Sequence, residues 1–200
     1  MIANTGTLDA SAIEQGAKGG EVSMTGDYVG SSGIIKVDGS ANADAGKVVL
    51  DSTGKTLLTS SSVITANGVG ENSSGGQIYV GSDGATIIRP EARLEAKGGT
   101  TGDGGLIKVG KGQEDLYFDT TAIDASAPGG NTGILYLDPS TITVTSGAGA
   151  GDLDPLLPLI DAGDPSQALN TVGEVTLELI GKDTDILLEA TGAITINNGD

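Results

Sequence analysis

The hydrophobic positions of this chain recur with a period of about 29 residues. One recurring segment starts with glycine and then alternates aliphatic residues with residues of other types. It occurs as Gly20-Glu21-Val22-Ser23-Met24, Gly46-Lys47-Val48-Val49-Leu50, Gly76-Gln77-Ile78-Tyr79-Val80, Gly105-Leu106-Ile107-Lys108-Val109 and Gly133-Ile134-Leu135-Tyr136-Leu137. Because alternation with period two is typical of a strand with one buried face, the segment predicts one β-strand in each repeat.

A second segment has nearly the same period and consists of an aliphatic residue, a polar residue and two small or polar residues. It starts at Leu8, Val37, Ile64, Leu94 and Ile123. A third, looser aliphatic segment follows each glycine segment, and Gly-Gly, Asp-Gly and Pro-Gly turns separate the three. The pattern therefore predicts about three short strands in each repeat.

A unit of this kind cannot bury its apolar faces alone, but a stack of coiled units can. The sequence predicts an all-β fold, a right-handed parallel β-helix with about 29 residues and three strands per coil. Stacked strands lie about 4.8 Å apart, and the inward column of the glycine segment is predicted to contain Val22, Val48, Ile78, Ile107 and Leu135. An antiparallel sandwich also has short strands and glycine turns, but it does not require equivalent segments at a fixed period.

The repeat is interrupted after Val144. The distance from Gly133 to Gly173 exceeds one repeat by roughly 11 residues. We therefore divide the chain into β-helix coils 1–5 at residues 1–146, an irregular loop insertion at 147–170, and a continuing β-helix coil at 171–200. The strand pattern is predicted to resume at Gly173-Glu174-Val175-Thr176-Leu177.

Composition limits the chemistry that the chain can perform. It has no cysteine and no histidine, which excludes Cys–His zinc sites and Ser–His–Asp triads within the chain. Its formal net charge is −17, so it repels phosphate backbones and anionic membranes, and no nucleic-acid partner is expected. No apolar stretch approaches the roughly 20 residues of a membrane helix, so no membrane insertion is expected either.

Two stretches resemble filamentous-haemagglutinin-like exoproteins. Residues 122–144 (AIDASAPGGNTGILYLDPSTITV) are similar to a stretch that closes the early β-helical region in that family, and residues 185–196 (DILLEATGAITI) are similar to the family's next segment. The most specific part is Leu137-Asp138-Pro139. The glycine segments alone are not specific.

This resemblance implies a long right-handed β-helical shaft that Gram-negative bacteria export by two-partner secretion. It implies an outer-membrane transporter as the secretion partner and a secreted or cell-surface location. Members serve as adhesins, haemolysins, contact-dependent toxin carriers or haem-acquisition proteins. The family's secretion domain carries Asn-Pro-Asn motifs, which this sequence lacks, so we expect the chain to lie downstream of that domain.

Two sets of outward side chains are candidate binding features. Tyr79, Lys108 and Tyr136 are predicted on successive coils, where a lysine between two rings can form cation–π contacts or a shallow carbohydrate platform. Plain packing along the ladder is the favoured interpretation. Acidic residues are also predicted to stack, Asp9 on Asp38 and Glu95 on Asp124. Such a column requires screening, a bridging cation or lysine neighbours, and lysine neighbours such as Lys97 are favoured.

The insertion supplies the weak metal candidates. Asp152, Asp154, Asp161 and Asp164 lie on it, and clustered carboxylates can bind Ca²⁺, which takes six to eight oxygen ligands. Their spacing matches no EF-hand. No catalytic residue, cofactor or other metal is predicted.

The sequence favours a structural and adhesive segment of a large exoprotein, without catalysis, that contacts a receptor or glycan on a host or neighbouring cell. One alternative is a ligand-capture module for a haem carrier or a glycan. Another is a β-helical polysaccharide lyase or hydrolase. The enzyme is disfavoured because such sites use grooves rich in basic and aromatic residues, whereas arginine occurs only at Arg89 and Arg93 and tryptophan is absent.

Overall fold

The computed structural model describes residues 1–145 and 170–197. These residues form 17 strands and one helix. The strands are β1 Ile2–Asn4, β2 Thr7–Asp9, β3 Glu21–Ser31, β4 Ile34–Lys36, β5 Lys47–Leu58, β6 Val63–Thr65, β7 Gln77–Ser82, β8 Ala85–Ile88, β9 Arg93–Glu95, β10 Leu106–Val109, β11 Asp115–Phe118, β12 Ile123–Asp124, β13 Ile134–Leu137, β14 Ile142–Thr145, β15 Thr171–Gly173, β16 Asp185–Leu188 and β17 Ile194–Asn197. The helix is α1, Glu174–Ile180.

All named strand pairs are parallel, and equivalent strands of successive coils are neighbours in space. The chain is a β-solenoid of about five turns that repeat about 29 residues apart, which confirms the predicted period. Face 1 contains the first halves of β3 and β5, then β7, β10, β13 and β16. Face 2 contains β1, the second halves of β3 and β5, β8, β11, β15, β14 and β17. Face 3 contains β2, β4, β6, β9 and β12.

The core is a set of inward columns that run along the solenoid. The predicted column is confirmed, because Val22 pairs with Val48, Val48 with Ile78, Ile78 with Ile107, and Ile107 with Leu135. The last four side chains are fully buried, whereas Val22 in the first coil is partly exposed. Burial of each aliphatic side chain contributes about 1.5–3 kcal/mol, so every added coil extends the same core.

Glycine precedes the face 1 strands β3, β5, β7, β10 and β13 and allows their coils to stack closely. A Cβ atom on Gly46 would overlap the carbonyl oxygen of Gly20, and one on Gly105 would overlap that of Gly76. The carbonyl groups at this corner accept ladder hydrogen bonds, for example from the Lys47 N–H to Gly20 at 3.0 Å. The repeated glycine therefore follows from the spacing of the coils.

The predicted register of face 3 is wrong in the first coils. Leu8 pairs with Ile35 rather than with Val37, so Asp9 lies beside Lys36 and not beside Asp38. Val37 and Ile35 are both aliphatic and lie two residues apart, so they occupy the same face of the strand and the repeat pattern cannot distinguish them. A column of two carboxylates is absent here, and Lys36 supplies an opposite charge.

The predicted strand at Gly173–Leu177 is wrong, because Glu174–Ile180 forms α1. The helix buries Thr176 and Ile180, four residues apart on one helical face. After the helix, the Thr184 hydroxyl accepts the Ala125 N–H at 2.8 Å, at the place where a carbonyl of a next face 3 strand would accept it. Alternation over only five residues does not separate the two structures.

The predicted insertion at 147–170 lies outside the described residues except for Asn170. The chain is described again from that residue onwards. Strand β15 then lies on face 2 between β11 and β14 and pairs with both. The chain continues through α1 to β16 on face 1 and β17 on face 2.

A pair of matched substitutions tests the assignment of inside and outside. Ile107→Asp places an unpaired carboxylate in the fully buried column and should destabilise the fold by several kcal/mol. Leu106→Asp makes the same change one residue earlier, on the outward side, and should cost less than about 1 kcal/mol. Urea unfolding monitored by circular dichroism measures both values. Equal losses would contradict the assignment.

Candidate functional site

The outer surface of face 1 carries the predicted aromatic and basic strip. Tyr79 pairs with Lys108, and Lys108 pairs with Tyr136. The same outward column begins at Ser23, continues through Val49 and ends at Leu187. The structure therefore brings the three predicted residues together on successive coils.

A lysine ammonium group lies over the ring of Tyr79 and another over the ring of Tyr136. The Lys108 Nζ lies 4.3 Å from the centroid of the Tyr136 ring, and the Lys47 Nζ lies 5.2 Å from that of Tyr79. Lys108 also forms an ion pair with Asp138 at 2.8 Å. The strip therefore contains two cation–π contacts, and a lysine occupies one face of each ring.

Tyr136 is tied to the last coil as well. Its hydroxyl donates a hydrogen bond to the Glu189 carboxylate. This hydrogen bond, with smaller contributions from burial and from the negative charges of Asp138 and Glu189, raises the pKa of Tyr136 to about 12. The neutral phenol is the form that the fold stabilises.

A shallow cavity of about 360 Å³ lies beside the strip. The polar and aromatic side chains that line it belong to Lys47, Lys108, Lys111, Tyr79 and Asp51. Within the part of the chain that the structure describes, no carboxylate pairs with the Lys47 ammonium group. The volume is at the lower end of the range for small-molecule sites.

Lys111 forms one wall of the cavity and links three coils. Its Nζ contacts Asp51 at 2.9 Å and Asp83 at 2.7 Å. The side chain crosses Gly81, where an added Cβ atom would lie 2.7 Å from the Lys111 Cγ. The hydrogen bond to Asp83, opposed by burial and supported by Asp51, raises the pKa of Lys111.

A buried carboxylate holds the loop that carries Lys111. Glu114 is fully buried at the corner between faces 1 and 2. It accepts hydrogen bonds from the Lys111 N–H at 2.8 Å, the Gln113 N–H at 3.3 Å and the Thr86 hydroxyl at 3.3 Å. These donors satisfy a group whose burial would otherwise be costly.

Sequence reasoning missed Lys47, Lys111 and Glu114. Lys47 stands in a glycine segment, so the outward positions of that segment could have indicated it. Lys111 and Glu114 lie in the turn between two strands, where the repeat period carries no information about side-chain direction. No signal in the sequence shows that Glu114 is buried.

Face 3 carries a second polar cluster, and its predicted stacking is confirmed. Glu95 pairs with Asp124, and the Lys97 Nζ bridges them at 3.1 Å and 3.6 Å. Glu95 also contacts Arg93 and accepts a hydrogen bond from the Asn67 amide at 3.1 Å. Burial acts to raise the pKa of Glu95, but the hydrogen bonds from Asn67, Lys97 and Arg93 together with the charge of Lys97 hold it below its ordinary value.

The carboxylates of face 3 are paired with cations. Lys97 lies between Glu95 and Asp124, as predicted, and together with Arg93 it balances the two negative charges. Within residues 1–145 and 170–197, no group of three or more Asp, Glu, His or Cys residues could hold a metal ion. The calcium candidates Asp152, Asp154, Asp161 and Asp164 lie outside the described residues.

Comparisons of the chain with protein-family models, curated proteins and solved structures find no match. No helix in the described residues is long and apolar enough to cross a membrane.

Matched isosteric substitutions test the face 3 cluster. Glu95→Gln leaves Arg93 and Lys97 without their buried partner and should destabilise the fold by about 1–3 kcal/mol. Asp124→Asn removes a more exposed carboxylate and should cost less than about 1 kcal/mol.

The same pair of variants tests a pH dependence. Because the pKa of Glu95 is lowered in the fold, its contribution to the stability is complete above the ordinary value of 4.5 and is lost as the pH falls below that value. Denaturant unfolding of both variants across this pH range would show the difference, and equal, pH-independent losses would contradict it.

Titration of tyrosinate absorbance tests the contact between Tyr136 and Glu189. The Tyr136 phenol should ionise near pH 12, and Tyr136→Phe should remove that step. Glu189→Gln should lower the pKa of Tyr136, because the carboxylate acceptor is lost. The stability that this contact contributes is complete below the ordinary pKa of 10.0 and is lost as the pH rises towards 12. An unchanged titration of Glu189→Gln would show that the contact does not form.

Proposed function

We propose that this chain is a structural and adhesive segment in the shaft of a secreted or surface-attached bacterial exoprotein, and that it has no catalytic role. The observation that carries the proposal is that outward lysine side chains form ion pairs with carboxylates of neighbouring coils. Lys111 joins coils through Asp51 and Asp83, and Lys97 joins Glu95 to Asp124. These side chains bind the neighbouring coils of the stack, as a rod requires.

The backbone supports the same proposal. Parallel ladders join successive coils on face 1 as far as β16 and on face 3 as far as β12, and the inward column of face 1 is continuous from Val22 to Leu135. A load along the axis would therefore act on many hydrogen bonds and ion pairs. The proposed partners are a receptor or glycan on a host or neighbouring cell and, during export, an outer-membrane transporter of a Gram-negative bacterium.

A ligand-capture module is the second candidate. It is favoured by the cavity of about 360 Å³ and by the Lys47 ammonium group, which has no carboxylate partner within the described residues. A glycan or a haem carrier could contact Lys47 and the edge of Tyr79. The lysine contacts of Tyr79 and Tyr136 argue against stacking of a sugar on these rings. A polysaccharide lyase or hydrolase is less well supported, because the neighbouring pair Glu95 and Asp124 forms ion pairs with Arg93 and Lys97.

Deletion of one whole coil tests whether the coils are interchangeable. Removal of residues 76–104 takes away β7, β8 and β9 and places Leu106 opposite Lys47 in the register that Gln77 now occupies. Because the inward columns still match, we expect a cooperatively folded, shorter solenoid. Removal of residues 76–89, about half a coil, should prevent folding because it shifts every later strand to the wrong face. Circular dichroism and thermal melting measure both variants, and unfolding of the whole-coil deletion would contradict the proposed modularity.

An adhesion assay tests the function directly. Beads coated with the chain should stay attached to epithelial or bacterial cells under flow, and Lys47→Gln should not reduce attachment. Loss of attachment in Lys47→Gln, together with competition by a soluble glycan or haemoprotein, would instead support ligand capture. Formation of new reducing ends in any of a panel of polysaccharides would support a polysaccharide lyase or hydrolase. Beads that attach no better than uncoated controls would refute the adhesive role.

A further inference from the structure

The cavity beside the strip on face 1 contains one lysine whose charge is not paired. Two of the three lysines that line it, Lys108 and Lys111, form ion pairs with carboxylates of the chain. The third, Lys47, is partly buried, and within residues 1–145 and 170–197 its ammonium group forms no ion pair. A partly desolvated ammonium group with three N–H donors is stabilised by an anionic acceptor. The cavity therefore has the character of a site for an anion.

The carboxylate that is nearest in register does not supply this anion. Glu21 is the partner of Lys47 on the preceding coil, but its side chain is exposed and, in the part of the chain that the structure describes, the two form no ion pair. The Lys47 Nζ lies instead 5.2 Å from the centroid of the Tyr79 ring, on the following coil. The ring, and not a carboxylate, holds the ammonium group at the cavity.

The strand that carries Lys47 supplies two further features of the cavity. Lys47, Val49 and Asp51 are alternate residues of β5, so their side chains lie on the same outward face. Asp51 accepts the Lys111 ammonium group through Oδ1 at 2.9 Å, and no donor among the described residues contacts its Oδ2. Val49 lies between the two charged residues, and Tyr79 is its neighbour on the next coil. The cavity thus presents a cation, a free carboxylate oxygen and an apolar floor.

The dimensions of this arrangement fit one sugar ring. Four residues of a strand span about 13 Å between Cα atoms, and Lys47 and Asp51 line the cavity from the two ends of that interval. A ligand with a carboxylate at one end, hydroxyl groups at the other and CH groups between them matches the three features. A uronic acid has this distribution of groups.

The net charge of −17 does not prevent the binding of one anion at this position. The three lysines of the cavity are balanced by three carboxylates, those of Asp51, Asp83 and Asp138. Charges elsewhere on the surface are screened beyond a Debye length of about 8 Å at physiological salt. A single ion pair at a partly exposed position contributes little free energy, so we expect binding in the millimolar range.

We propose that this cavity binds one uronic acid residue. The Lys47 ammonium group donates to the carboxylate of the sugar, a ring hydroxyl donates to the Asp51 Oδ2, and the CH groups of the ring lie over Val49 and against the edge of Tyr79. The proposal names the ligand class of the second candidate, ligand capture, and rests on it. The structural role of the coils in a shaft does not depend on it.

An NMR titration with free sugars tests the proposal and does not involve cell attachment, so its failure and that of the adhesive role are distinguishable. The ¹⁵N-labelled chain is titrated with glucuronate and galacturonate, with glucose and galactose as matched neutral sugars, and with acetate. At least one uronic acid should shift the amide signals of Lys47, Val49 and Tyr79 and saturate in the millimolar range. The neutral sugars should not shift them, and acetate should bind more weakly than the uronic acid. No shift with either uronic acid, or equal shifts with the neutral sugars or acetate, would overturn the proposal.

Matched charge substitutions locate the binding. Lys47→Gln should lower the affinity about tenfold or more, because the charged hydrogen-bond donor is lost. Lys36→Gln makes the same charge change on face 3 and should leave the affinity unchanged. Glu21→Gln should raise the affinity about twofold, because it removes a negative charge on the neighbouring strand. The amide spectrum of each variant shows whether the fold is intact. An unchanged affinity in Lys47→Gln, or equal losses in Lys47→Gln and Lys36→Gln, would refute the assignment of the ligand to this cavity.

Discussion

The structure depends on one constraint, the register of parallel coils stacked about 4.8 Å apart. Because side chains alternate between the two sides of a strand, a shift of one residue would move every buried aliphatic group to the surface. The repeat length is therefore held nearly constant on face 1, where Ile78, Ile107 and Leu135 follow each other. The glycine corners have the same origin, because a Cβ atom at Gly105 would collide with the coil below.

The stack also determines where charge can be placed. A chain with a net charge of −17 that places equivalent residues at a short repeat distance brings like charges together. The outer faces avoid this by placing lysines between carboxylates of different coils, as Lys97 and Lys111 do. Opposite charges then join the coils where repulsion would separate them. Individually such exposed pairs contribute little, but the Glu95 side chain is nearly buried, and there the loss of a partner matters more.

The repeat period made the fold predictable, and the wrong predictions concern positions at which the period does not determine the structure. Two independent segments with one period identified the parallel stack, the inward column from Val22 to Leu135, and the outward neighbours Tyr79, Lys108 and Tyr136. Where two aliphatic residues stood on the same face, as Ile35 and Val37 do, the pattern could not choose the register. The residues of α1 fit a strand over five residues and a helix over seven, and the helix buries Thr176 and Ile180 on one face.

The candidate site was less predictable than the fold, for a related reason. The cavity on face 1 is completed by Lys111, which lies in a turn and reaches back over two coils to Asp51. Repeats specify which strands are neighbours, but they do not specify where a turn directs a long side chain, because turns vary in length from coil to coil. In this chain Lys111 can lie along the surface because Gly81 leaves the space, and its loop is held by the buried Glu114. The surface chemistry of a solenoid is therefore determined by the residues that depart from the repeat, on a scaffold that the repeat determines.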